Sequence, residues 1–164
     1  MMFTIRSGSM TAVIDSVGAQ LMSLQSVDGT QYLWQGDPKY WPDRSLTIFP
    51  YVARLTDGCY RYRGELYHMP IHGFAPTAEF SVAEQTDAAI TFVLESCPAF
   101  YEQYPFLFRY SIRYRLENAT LHVEITVKNK DGKTMHFGLG GHPGINVPLE
   151  EGLRFEDYVI EVPP

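Results

Sequence analysis

The chain has 164 residues, enough for one domain with a sizeable core, and a formal net charge of -6. That acidic balance argues against a basic face for nucleic acid or anionic lipid. Cys59 and Cys97 lie far apart without metal-type spacing, and neither a signal-length apolar run near the N-terminus nor a membrane-length segment occurs. The expectation is a cytoplasmic protein with free thiols.

In chain order, almost everything reads as short strands joined by turns. Residues 10–15 (MTAVID) and 20–26 (QLMSLQS) are strand-like, and Asp28-Gly29 signals a hairpin into residues 31–34 (QYLW). Residues 40–58 are irregular, with two prolines and an arginine following apolar residues. A hairpin over 59–69 turns at Arg63-Gly64, and a second irregular stretch, 69–80, holds a His-Gly step between two prolines. Such prolines mark loops or strand edges, where functional residues tend to sit on a rigid scaffold. Residues 78–84 and 88–96 read as another antiparallel pair, and only 98–105 suits a helical turn.

The clearest alternation follows. Phe108, Tyr110, Ile112, Tyr114 and Leu116 share one face of a strand, with Arg109, Ser111, Arg113, Arg115 and Glu117 on the other. Asn118-Ala119 turns the chain into a partner in which Leu121, Val123, Ile125 and Val127 alternate with His122, Glu124, Thr126 and Lys128. A half-buried antiparallel sheet with one polar face is predicted. Strands at this spacing, without alternating helices, predict an all-β fold: an antiparallel β-sandwich, with residues 1–164 as a single domain. Chains rich in tyrosine (11 here) often bind polar ligands such as sugars, though tyrosine also favours strands.

Residues 136–146 (HFGLGGHPGIN) look like a strand that has given up side chains on one face. His136, Gly138, Gly140 and His142 share a parity. Glycine weakens a strand unless something approaches its backbone closely. A bound ligand and a closely packed sheet are both open readings.

Of five histidines, His122 reads as solvated, His68 sits near a turn, and His136 is ambiguous. His72 and His142 differ, because each ends a strand-like run and precedes a backbone-breaking Gly73 or Pro143. A histidine there can project into a cavity, and its ordinary pKa of about 6.5 suits proton transfer near neutrality. A buried histidine fixing a loop is the alternative. No His-x-His, Cys-x-x-Cys, Gly-x-Ser-x-Gly or phosphate-binding glycine loop occurs. A His72/His136/His142 metal site in a β-barrel enzyme therefore stays a distant reading without motif support.

Residues 49–75 (FPYVARLTDGCYRYRGELYHMPIHGFA) and 139–158 (LGGHPGINVPLEEGLRFEDY) together resemble the aldose 1-epimerase (galactose mutarotase) family. The ordered set is aromatic-Pro-x-Val-x-Arg, His-Gly-Phe and His-Pro-x-x-Asn. The match runs through almost the whole chain and looks closest to a less characterised offshoot with Asp-Gly after the arginine. The resemblance implies a galactose mutarotase-like supersandwich and a cofactor-free, metal-free interconversion of hexose anomers by acid/base ring opening. His142 would match the general acid at the ring oxygen. His72 would match the catalytic histidine that also contacts the sugar near that oxygen. Arg54 and Asn146 would fall among the substrate-binding residues. The expected partner is a hexose or related sugar, with neither nucleic acid nor membrane.

The sequence departs from the family in three places. Thr56-Asp57 stands where Asn-Arg is common, and Ile145 where an aromatic is usual. The match also covers only an N-terminal portion of the family's length, so the sandwich is expected to be incomplete. No residue here matches the family's glutamate base, and nothing in the motifs gives Glu150, Glu151 or Asp157 that role. An isolated chain is thus expected to be inactive or weak, and to self-associate through exposed sheet edges. A non-catalytic carbohydrate-binding module is the alternative function.

Overall fold

The computed structural model describes residues 1–162. The chain opens with β1 (Met2–Arg6), β2 (Met10–Asp15) and β3 (Gln20–Ser26), paired antiparallel in that order. β2 buries Met10, Ala12 and Ile14 and leaves the alternate residues half-buried, as a strand with one core face must. β4 (Ser45–Ile48) lies inside the first irregular stretch. β5 (Cys59–Tyr62) and β6 (Glu65–His68) form the expected hairpin, with Arg63 and Gly64 at φ 53° and 90°. Positive φ at both central residues matches the strand twist.

β7 (Ser81–Gln85) and β8 (Ala89–Glu95) precede one helical turn, α1 (Pro98–Tyr101). Then come β9 (Phe108–Glu117), β10 (Thr120–Asn129) and the short β11 (Gly140–Pro143). β10, β9, β8 and β7 make a four-stranded antiparallel sheet in that order, and β11 pairs with β4.

The three- and four-stranded sheets close on one aromatic-rich core, giving the expected antiparallel β-sandwich. Ile5, Ala12 and Ile14 from one sheet cluster with Phe92, Phe108, Tyr110, Ile112 and Tyr114 from the other. Phe3 meets Phe92 edge-on at 5.5 Å. Tyr114 donates its buried hydroxyl proton to Ala19 O at 2.8 Å, tying the sheets together. Phe49, just after β4, is fully buried. It stacks on Tyr110 at 4.5 Å and meets Phe74, Tyr104 and Phe108 edge-on. The loop that follows Phe49 therefore starts from one of the most tightly packed points of the molecule.

Three expectations need correction. Residues 31–34 are not a strand, since Gln31 and Leu33 make only isolated bridges. Side chains have taken the ladder's partners there: Gln31 Oε1 accepts from Leu24 and Leu33 N–H, and Asn146 donates to the Gln31 and Leu33 carbonyls. Residues 136–146 are strand only over β11. Upstream, Gly138 N–H donates to Pro50 O, and His136 O accepts from the Tyr104 hydroxyl. Finally, the apolar face shared by β9 and β10 is buried only on β9. On β10, Leu121, Ile125 and Val127 are half-buried and Val123 is 49 % exposed, with no described residue covering them fully.

Candidate functional site

Two of the sequence motifs interlock through their backbones. Phe49 N–H donates to His72 O (3.3 Å), Ala75 N–H to Phe49 O (3.1 Å), and His72 N–H to Ala53 O (2.9 Å). Gly73 has φ 77°, and a Cβ there would lie 2.2 Å from Phe49 O, so the close approach admits only glycine. Ala53 and His72 flank this contact and also adopt left-handed conformations, with φ of 69° and 65°. Non-glycine residues held in such conformations persist only where their surroundings over-determine them, and they concentrate at functional sites.

The constraint on His72 extends to its ring. Ala53 N–H donates to His72 Nδ1 at 3.2 Å. With Nδ1 accepting, a neutral His72 carries its proton on Nε2. Arg54 follows directly, exposed, and takes part in none of the ion pairs formed among the described residues. The segment then turns through one 3-10 turn, Thr56–Gly58, into β5.

His142 reaches the same place from β11, where it pairs with Leu46 of β4. Its imidazole centroid lies 5.7 Å from that of His72, with the rings at 61°. The indole of Trp41 packs on the same imidazole at 4.9 Å, tilted by 48°. His72 and His142, singled out from different stretches of sequence, are thus neighbours. His142 also faces an aromatic residue, Trp41, that the sequence reading passed over.

Asn146 sits differently. Both amide hydrogens are used, on Gln31 O and Leu33 O at 2.9 Å each, so the side chain splices residues 31–33 to the end of the histidine segment. The glycines of that segment divide. A Cβ at Gly144 would lie 2.7 Å from Trp34 Cβ and 3.0 Å from the Trp41 ring, whereas one at Gly140 would meet nothing within 4 Å. Close packing explains Gly144. Gly140 and Gly141 instead border a hollow of about 590 Å³ that is mostly apolar, with Leu21, Leu121, Val123 and Ile145 among its lining. A second hollow, about 550 Å³, lies between Val52, Phe137 and the tyrosines 51, 60, 62 and 104. Burial and the neighbouring Tyr67 push the Tyr60 phenol up to about 12, and burial also raises Tyr104. Neither hollow is lined by His72 or His142.

Among the described residues, no group of three or more His, Cys, Asp or Glu side chains could hold a metal ion, so His136 does not join the pair in such a cluster. Asp157 is engaged locally, accepting from Arg154 N–H at 2.8 Å. The residues missed by sequence reasoning are Trp34 and Trp41. The available signal was that the chain's only two tryptophans lie seven positions apart, the second at the start of an irregular stretch.

The sandwich and its topology place the molecule among galactose mutarotase-like folds. The family model for aldose 1-epimerase matches residues 1–164, and the chain belongs to that family. A galactose mutarotase related enzyme from Lactobacillus acidophilus superposes with a TM-score of 0.92 at 38% identity, covering 96% of this chain and 53% of that one. A galactose mutarotase-like protein from Lactobacillus casei gives 0.88 at 34% identity, over 92% and 52% of the two chains. Protein LacX (plasmid) of Lactococcus lactis is 31% identical, over 98% of this chain and 56% of its own. The chain thus spans about half the length of the curated relatives it matches. Among the described residues, no helix is long and apolar enough to cross a membrane.

Proposed function

We propose that residues 1–164 form one β-sandwich unit, the N-terminal part of a mutarotase-like domain, and carry the acid side of an aldose 1-epimerase site. The substrate class is a free hexose or a related sugar. Adjacency of the His72 and His142 imidazoles, with Arg54 next in the chain to the Ala53 that holds the His72 ring, is the observation that carries the reading. His142 protonates the ring oxygen as the C1–O bond breaks, while a base takes the proton from the C1 hydroxyl. The resulting open aldehyde turns about its C1–C2 bond and recloses from the other face. Each positioned acid or base contributes about 10²–10⁴ in rate.

His72 contributes a fixed donor at Nε2, aimed by Ala53, that suits a sugar oxygen, and Arg54 supplies donors for hydroxyls. Asn146 supports the site by holding residues 31–33 in place. No carboxylate of this chain is assigned as the base. In this reading it belongs to the part of the domain that the relatives carry and the matched stretch does not include.

Polarimetry of freshly dissolved α-glucose or α-galactose, with acetate added as an external base, tests the reading. The chain alone should accelerate mutarotation weakly. Acetate should raise the rate beyond its own buffer catalysis in the native chain and not in H142N. Equal rates for native and H142N chains under both conditions would refute it. Self-association through β10 belongs to the same proposal, because its apolar face lies open. A clean monomer on gel filtration at micromolar concentration would remove that part.

A further inference from the structure

The environment of His142 contains a device that the acid role alone does not explain. Its imidazole is packed by Trp41, 4.9 Å away between ring centroids. Trp41 is itself clamped. Its carbonyl accepts from Trp34 Nε1 at 2.8 Å, and Trp34 N–H donates to Gly144 O at 2.9 Å. Gly144 N–H in turn donates to Arg44 O at 2.8 Å. A side chain at Gly144 would collide with both indoles, so the glycine two residues after His142 makes the room they occupy. The Trp34 ring also meets Tyr40 edge-on at 6.4 Å. Residues 34–44 and 142–146 are therefore interlocked, and the interlock packs the Trp41 indole on the imidazole.

From this we infer that Trp41 is the positioning residue for His142: its indole fixes the orientation of the imidazole facing His72. His142 is otherwise exposed and sits on a four-residue strand, so its backbone does not hold the ring. An exposed side chain swings between staggered rotamers on the picosecond-to-nanosecond scale, and a general acid works only within hydrogen-bond reach of its target. Packing against a clamped indole, tilted by 48°, removes that freedom without using either ring nitrogen, and both stay available for proton transfer. A hydrogen bond could not do this as well, because it would occupy one of the two nitrogens. The inference extends the epimerase reading of the site and rests on it for the catalytic consequence alone; the geometric claim stands apart.

The imidazole proton resonances of His142, assigned with H142N, separate the two. In the full native chain these signals should show ring-current displacement and through-space contact with Trp41. W41L should abolish both, and W41F should retain much of them. The His122 signals, near the start of β10 and opposite Arg115, should stay unchanged in each variant and report an intact fold. His142 signals that do not respond to W41L, or that show no contact with the indole, overturn the inference, whether or not sugar turns over. Wherever mutarotation is measurable, W41L should lower kcat by about 10- to 100-fold with KM nearly unchanged, since misplacing a catalytic group by about 1 Å costs on that order. W41F should recover most of that loss. A loss confined to KM would make Trp41 a sugar contact and overturn its role as a positioning residue.

Discussion

Gly73 lies against Phe49 so closely that a single added carbon would sit 2.2 Å from the Phe49 carbonyl oxygen. This contact joins the aromatic-Pro loop to the His-Gly-Phe loop, and beside it His72 is bonded to Ala53, the residue before Arg54. Replacing Gly73 by alanine should cost more than about 2 kcal/mol, combining the left-handed penalty with a backbone clash. Gly64 has φ 90° but open space around it, so Gly64→Ala should cost only about 1 kcal/mol. Urea denaturation of the two variants makes the comparison, and equal losses would contradict the account.

Two buried tyrosines on one face of β9 should respond oppositely to loss of their hydroxyls. The Tyr110 hydroxyl is buried without a hydrogen-bond partner among the described residues, while that of Tyr114 bonds to Ala19 O. Tyr110→Phe should be neutral or stabilising by up to about 1 kcal/mol. Tyr114→Phe should destabilise by about 1–2 kcal/mol, because it strands a buried carbonyl. Thermal melting of both variants tests the pair.

Stability should fall at both ends of the pH scale. The Ser26 hydroxyl and neighbouring Thr30 lower the Asp28 carboxyl, and the Arg115 guanidinium lowers that of Glu117. A carboxylate depressed in the folded state stabilises it above its ordinary pKa of about 4, and that contribution is lost as pH drops through the folded value. Tyr60 works the other way: raised to about 12, it favours the fold below the ordinary phenol value near 10 and loses that contribution as pH climbs toward 12. The Tm should therefore decline below about pH 4, less steeply for the double variant D28N/E117Q. Both carboxylates are surface groups, so salt should flatten the acid limb. A Tm profile unchanged in D28N/E117Q would contradict this.

The regular strands were readable because their alternation reports burial directly. Residues 10–15 and 20–26 are β2 and β3 as expected, and all five apolar residues on one face of β9 are buried. β1 and β4 were not read, and β11 was read only as part of a longer strand over 136–146. β4 has four residues in a proline-punctuated stretch, and β11 reads Gly-Gly-His-Pro, which leaves almost no side-chain pattern. The 31–34 stretch had the right composition for a strand, but glutamine and asparagine side chains satisfied its backbone, a long-range arrangement that no local pattern encodes. The same divide runs through the site. His72 and His142 stood out because a backbone-breaking residue, Gly73 or Pro143, follows each, whereas Arg54 was named through the family resemblance alone. The packing of Trp41 on His142 joins residues far apart in the chain and became visible only in three dimensions.

The central claim is that His72 and His142 form a sugar site, and a titration of the chain with free hexose tests it most directly. Followed by NMR on the imidazole signals, galactose or glucose should shift both histidines together along one saturable curve. His68 and His122 should not move. Arg54→Ala should weaken the binding by about 10-fold or more, the loss expected when a charged hydrogen-bond donor is removed. Imidazole signals of His72 and His142 that stay in place while sugar binds elsewhere, or that never respond to any hexose, would contradict the account.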